Sequence, residues 1–187
     1  GTNPANNTRV VEMASEYEGI YAAVGIHPSD IDEEVSLEDA IAKLRALLDK
    51  RAENKVVALG EIGLDYYWRQ DNKEEQMNFL EAQLTLAEEY SMPVIIHDRD
   101  AHGDIFETIL RHPNVHGVFH SYSGSPEMAR ELLRRGWYIS FSGVVTFKNA
   151  RNVKAAAAVV SLDRFLLETD APYLAPEPWR GKLNRSD

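Results

Sequence analysis

Six short apolar runs, at 21–24 (YAAV), 56–59 (VVAL), 93–96 (PVII), 117–119 (GVF), 137–141 (WYISF) and 165–167 (FLL), alternate along the chain with amphipathic stretches. That alternation constrains the fold more than any other feature. The runs are rich in Val, Ile, Phe and Tyr, and they are apolar on successive residues, as in strands covered on both faces. Between them the spacing turns helical. Leu37, Ile41, Leu44 and Leu48 share one face after a Ser36…Asp39 capping pair, and Met77, Leu80, Leu84 and Ala87 share another. Ser125-Pro126 opens a further helix that Gly136 closes. Helices are also expected near 6–17, 101–111 and 150–160. Strand and helix in strict turn mean parallel βαβ units. With no linker or composition shift, a single domain over 1–187 is expected.

Two architectures share this order, an open doubly wound sheet and a closed (β/α) barrel. A doubly wound nucleotide binder should carry a glycine-rich turn, and neither GxGxxG nor GxxxxGK[ST] occurs in the chain. The polar residues favour the barrel. Five of the apolar runs lead into a residue able to bind a metal or move a proton: His27 in YAAVGIHP, Glu61 and then Asp65 in VVALGEIGLD, His97 in PVIIHDRD, His120 in GVFHSYSG and Asp170 in FLLETDAPY. Strand C-termini converge on one mouth of a (β/α) barrel. Taken singly, each such His or carboxylate is more often a rim residue or a helix cap. Taken together they need a common reason, because ionisable groups near a core are costly unless paired or metal-bound. Imidazole and carboxylate without thiolate suit Zn, Mn, Mg, Fe or Ni, and a carboxylate bridge suits a two-metal centre.

Composition narrows the chemistry. With no cysteine, disulfides, zinc–thiolate sites and Cys nucleophiles are excluded. A formal net charge of −10 argues against a broad electrostatic clamp on nucleic acid, although a metal could supply positive charge locally. No apolar run approaches a membrane span and the first residues lack the features of a signal peptide, so the cytoplasm, no membrane partner and a monomer are expected.

GEIGLDYY (60–67), IIHDRDA (95–101), FHSYSGS (119–125), YISFSGVVTFKN (138–149), ETDAPYLAP (168–176) and WRGKLN (179–184) resemble, in order, the motifs of the TatD-type metal-dependent deoxyribonucleases. The resemblance implies a (β/α)8 TIM-type barrel of the amidohydrolase superfamily, two divalent ions (Mg, Mn or Zn) and hydrolysis of DNA phosphodiesters, on single strands or 3′ ends. It implies that Glu61 lies between the metals, that His97 and His120 bind metal, and that Asp170 binds metal and takes the proton of the attacking water. His27, in GIHP, matches a position at the mouth that is not a direct ligand and is expected to face substrate or support the ligands. Asp65 is expected to cap or to orient a ligand histidine. Arg99 and Arg180 are candidate phosphate contacts, with Lys182, while Tyr122 or Trp179 would stack on a base. His102, His112 and His116 carry no assigned role.

The chain departs from the family pattern in three ways. Family members begin with an H-x-H pair on the first strand, and no H-x-H occurs in these 187 residues. Six strands are readable where eight are expected, so the first strand and the last helix are expected to be missing, and one metal position to be short of ligands. Ser121-Tyr122 stands where many relatives carry Cys-Phe. Two other functions share the pattern. One is an esterase or amidohydrolase, for instance on aminoacyl-tRNA; Glu61 at the bridging position, where many amide hydrolases use a carboxylated lysine, favours the nuclease. The other is a catalytically incomplete barrel acting as a binding module.

Overall fold

The apolar runs are strands and the amphipathic stretches are helices in the computed structural model, which describes residues 1–31 and 36–186. The chain divides into two units, Gly1–Gly117 and Val118–Asp187.

In the first unit the order is α1 (Pro4–Glu16), β1 (Ala22–Val24), α2 (Leu37–Asp49), β2 (Val56–Asp65), α3 (Lys73–Tyr90), β3 (Val94–Arg99) and α4 (His102–Arg111). The strands pair in parallel, β1 with β2 and β2 with β3. Local chemistry sets the helix starts: the Asn3 side chain accepts from the Asn6 N–H at 3.0 Å and the Ser36 hydroxyl from the Asp39 N–H at 3.1 Å. The apolar stripe of α2 buries Leu44 and Leu48, and that of α3 buries Phe79, Leu80 and Leu84. Each such side chain contributes about 1.5–3 kcal/mol.

Strand β2 runs six residues further than its apolar run suggests, so Glu61 and Asp65 lie within it. Glycine permits the extension. At Gly63, whose φ is +153°, an added Cβ would meet the His97 carbonyl oxygen at 1.8 Å. Only a residue without a side chain lets β2 approach β3 there. The register pairs Gly63 with His97 and Asp65 with Arg99, and it shifts between Leu59 and Ile62, where Glu61 stands.

Three buried side-chain amides satisfy strand-end backbone in this unit. Asn7 accepts from the Gly25 N–H and donates to its carbonyl, at 3.1 and 2.9 Å. Gln83 does the same for Ile26 at 2.7 and 3.2 Å, and Gln76 for Asp65 at 2.8 and 3.2 Å. An amide carries both a donor and an acceptor, so one side chain can stand in for a neighbouring strand.

His112, unassigned from sequence, links α4 to α3: Nε2 lies 2.7 Å from Glu81 and Nδ1 3.3 Å from Glu88, while Arg111 also binds Glu81. Burial raises the Glu81 carboxyl, but hydrogen bonds from His112 and Arg111 outweigh it and hold the group below its ordinary 4.5. A depressed carboxyl stabilises the fold above its unfolded value, and that contribution is lost as pH falls through the lowered native value. Glu81→Gln is therefore expected to cost roughly 1 kcal/mol near neutral pH, allowing for solvent screening. The gap from the unmodified chain should close below about pH 4.5 in urea unfolding.

The second unit contains Val118 and Phe119 of β4 (Gly117–Phe119), then α5 (Pro126–Arg134), β5 (Tyr138–Phe141), α6 (Arg151–Ala157) and β6 (Phe165–Leu167). Its strands are again parallel, with Phe119 opposite Ile139 and Phe141 opposite Leu167. The Ser125 hydroxyl accepts from the Met128 N–H at 3.2 Å to begin α5, and Gly136, at φ +85°, follows its end. Phe119 packs edge-on against Trp137, with ring centroids 5.2 Å apart, and Phe141 stacks on Phe165 at 4.8 Å. Helix α6 stops at Ala157 rather than near 160, where the β-branched pair Val159-Val160 follows.

Candidate functional site

Each unit holds one group of ligand-type side chains at its strand ends, and the two groups follow one plan. In the first, His97 stands near the end of β3 between two carboxylates of β2. Its Nδ1 is 2.7 Å from Glu61 Oε1 and its Nε2 is 3.0 Å from Asp65 Oδ2. Asp65 is 2% exposed, and its other oxygen accepts from the Tyr67 and Trp68 N–H groups at 3.0 and 2.8 Å. Burial opposes the His97 imidazolium, but hydrogen bonds to Asp65 and Glu61 outweigh it and raise its pKa to about 9. Burial likewise opposes the Asp65 carboxylate, and the bonds from His97 and the two backbone N–H groups hold it below the ordinary range.

The second group repeats the arrangement. His120, one residue past β4, directs Nδ1 to Glu168 Oε2 at 2.5 Å and Nε2 to Asp170 Oδ1 at 2.9 Å. Ser140 on β5 donates to the same Glu168 oxygen at 2.8 Å. The other oxygen, Oε1, is buried and has no hydrogen-bond partner.

These donors fit a divalent cation. In both groups one ring nitrogen rests on a carboxylate held by further bonds, Asp65 or Glu168, and the other faces a second carboxylate, Glu61 or Asp170. A histidine metal ligand requires this geometry: the supported nitrogen keeps its proton and the opposite nitrogen is free to coordinate. His27, Glu61 and His97 offer ligand atoms within 4.8 Å of one another, as do His120, Glu168 and Asp170.

Distance alone would make His27 a ligand, but its hydrogen bonding argues otherwise. His27 Nδ1 accepts from the Ser29 N–H at 3.1 Å, so the neutral ring carries its proton on Nε2, which lies 3.7 Å from Glu61 Oε1. That nitrogen is a donor, not a lone pair. Its ring also packs edge-on against His97, with centroids 4.3 Å apart.

The remaining expected residues divide. Arg99 lies with its guanidinium carbon 4.7 Å from the Tyr67 ring centroid, and Arg180 lies 4.2 Å from that of Phe147. Trp179 is exposed, with Lys182 over its ring. Tyr122 corrects the sequence expectation of a stacking surface. It is 3% exposed, donates to the Ser125 carbonyl at 2.8 Å, and meets Phe119 and Phe141 edge-on, so no face is open to a base. Glu168, Gln76, Gln83 and Asn7 are absent from the sequence reading. Only Glu168 left a trace, two residues before Asp170 in ETDAP.

Asp65→Asn tests the shared plan. Asparagine can still accept from Tyr67 and Trp68, but it presents an N–H₂ to His97 Nε2 and so moves the ring proton to the nitrogen that faces Glu61. Metal affinity is expected to fall about 10- to 100-fold with helix content retained, as read by titration against a chelator.

The comparisons agree with this chemistry. The profile of the TatD related DNases matches residues 1–187. The chain is 44% identical over 180 residues to the uncharacterized metal-dependent hydrolase YabD of Bacillus subtilis, covering 95% of this chain and 68% of that protein. It is 43% identical over 177 residues to YcfH of Escherichia coli K12, covering 93% and 64%. The chain thus spans about two thirds of the length of these relatives. Among solved structures, the E. coli TatD homolog YJJV matches with a TM-score of 0.90 and 35% identity, over 99% of this chain and 71% of that one. A TatD family hydrolase from Entamoeba histolytica, 24% identical with a TM-score of 0.74, supports the fold alone. The fold class is α/β of the TIM-barrel type, with six parallel-sheet strands among the described residues. On the profile, the relatives and the similar backbone of YJJV, the chain belongs to the TatD family of metal-dependent hydrolases.

Proposed function

We propose that the chain hydrolyses DNA phosphodiesters, at single strands or 3′ ends, with a divalent ion (Mg, Mn or Zn) at each of the two groups. The observation that carries this reading is the repeated carboxylate–histidine–carboxylate arrangement. Bound ions supply Lewis acidity and lower the pKa of a water. The chain's own residues do the rest. Glu61 and His97 Nδ1 would hold one ion, Asp170 and His120 Nε2 the other, with Asp65 and Glu168 keeping the ring protons on the far nitrogens. Asp170 Oδ2, not engaged by His120, accepts the proton of the attacking water. Within the first unit, His27 Nε2–H would donate to a phosphate oxygen and Arg99 would offset its charge. Local cations of this kind let a protein of net charge −10 act on a polyanion.

The test is metal content by plasma mass spectrometry, with cleavage of labelled single-stranded DNA in Mg, Mn and Zn. It is run on the chain and on a form preceded by a strand carrying H-x-H. Metal-dependent cutting by either form supports the reading. A metal-loaded chain that leaves DNA intact moves the substrate to an ester or amide, and a chain that binds no metal in either form overturns the proposal.

A further inference from the structure

Beyond the groups at the strand ends, the turn after β2 presents an aromatic surface that the mechanism does not use. Trp68 is 70% exposed and Tyr67 51%, and their rings meet edge-on with centroids 4.8 Å apart. Two adjacent open rings offer a flat apolar face of the kind on which a base can stack. Two cations flank the turn, and both lie over tyrosine rings: the Arg99 guanidinium on Tyr67 at 4.7 Å and the Lys73 ammonium on Tyr66 at 4.1 Å. Among the described residues neither has an ion-pair partner, whereas Arg45, Arg69 and Arg111 each sit on a carboxylate. Two cation–ring contacts thus lie at this turn, beside the exposed indole. The turn is also fixed to the metal group. Asp65 holds the Tyr67 and Trp68 N–H groups with one oxygen and His97 Nε2 with the other. A single buried carboxylate thus sets both the orientation of the metal-ligand ring and the start of the aromatic turn.

We infer that Trp68 and Tyr67, with Arg99 and Lys73, form a stacking subsite for an unpaired nucleotide of the DNA strand, with its phosphates on the two cations. The inference rests on the nuclease reading and assigns a place to its unpaired substrate: a base must leave its own stack to cover the indole. Base–aromatic stacking is tolerant of sequence, so the preference is for strandedness and not for a particular base.

The probe is a labelled oligothymidylate, followed by anisotropy in a non-turnover metal such as Ca²⁺, together with tryptophan fluorescence. Trp68→Ala is expected to weaken binding about 5- to 150-fold and to raise KM more than it lowers kcat on single-stranded DNA. Trp68→Phe should restore binding while the ligand-induced quenching of tryptophan emission is lost, an outcome that a purely structural role for Trp68 would not produce. Because Trp68 is largely exposed, neither variant should change the melting temperature. Unaltered binding in Trp68→Ala overturns the subsite. So does a wild-type chain that hydrolyses bis(p-nitrophenyl) phosphate yet fails to bind the oligonucleotide. A wild-type chain that does neither overturns the nuclease reading as well.

Discussion

Asp170→Asn is expected to lower kcat/KM on single-stranded DNA by about 10²- to 10⁴-fold, the range associated with removing a positioned proton acceptor. Asparagine preserves the shape of the side chain but brings an N–H₂ where an acceptor is needed. Whichever way the amide turns, one of two functions suffers. With its oxygen toward His120 Nε2, the amino group occupies the position from which Asp170 Oδ2 would take the proton of water. In the other orientation it opposes the His120 nitrogen that faces the carboxylate at 2.9 Å. Asp170 sits past β6, outside the strand hydrogen bonding, so the melting temperature should move little. Single-turnover assays with bound metal measured in parallel separate a lost proton acceptor from a lost ligand. Retention of near-normal turnover would remove Asp170 from the chemistry.

The largest effect on stability is expected away from the ligands, at Gln83. Its side chain is 1% exposed on the inner stripe of α3, its oxygen accepting from the Ile26 N–H at 2.7 Å and its amino group donating to the Ile26 and Phe79 carbonyls. Gln83→Leu keeps the volume and completes an apolar stripe, and a reading from hydrophobicity alone would count it as favourable. It strips the Ile26 N–H and carbonyl of their partner inside the fold. At about 1–3 kcal/mol for each buried unsatisfied group, a loss of roughly 2–5 kcal/mol is expected, read as a lower urea midpoint with an unchanged slope. Ile26 immediately precedes His27, so the placement of the His27 Nε2–H should suffer with it. A midpoint equal to wild type would mean that the Ile26 groups find other partners.

Much of the fold was legible before any coordinates. Successive apolar residues in VVAL and PVII indicate strands, and the Leu37–Leu48 spacing indicates the helix before the first of them, although Val57 leaves one face of VVAL open to solvent. The sequence reading placed the apolar run at 56–59 with Glu61 and Asp65 beyond it, whereas β2 continues to Asp65. In the structure the missing side chain at Gly63 is what allows the strand to continue against His97. The reading singled out His97, His120, Glu61 and Asp170 because residue type and strand-end position are properties of the chain itself. It passed over Glu168, which sits next to Thr169 and Asp170 and looks like part of one acidic loop. It named Tyr122 and Trp179 as stacking aromatics and did not single out Trp68; Tyr122 is buried while Trp179 and Trp68 are exposed, a difference that neighbours in sequence do not reveal.

Hydrophobic period and turn residues are local, so the sequence by itself determined which segments are strands and helices and which ligand-type residues stand at their ends. The tertiary structure decided the partnerships. Gln83 reaches Ile26 across 57 positions, Glu61 meets His97 across 36, and Asp170 meets His120 across 50. A hydrogen bond is sensitive to a few tenths of an ångström and to the direction of a lone pair. Strand register and helix packing set those quantities, and no pattern along the chain encodes them. For the same reason, the sequence could name His97 as a candidate ligand, while only the fold placed one of its ring nitrogens against Asp65 and the other against Glu61.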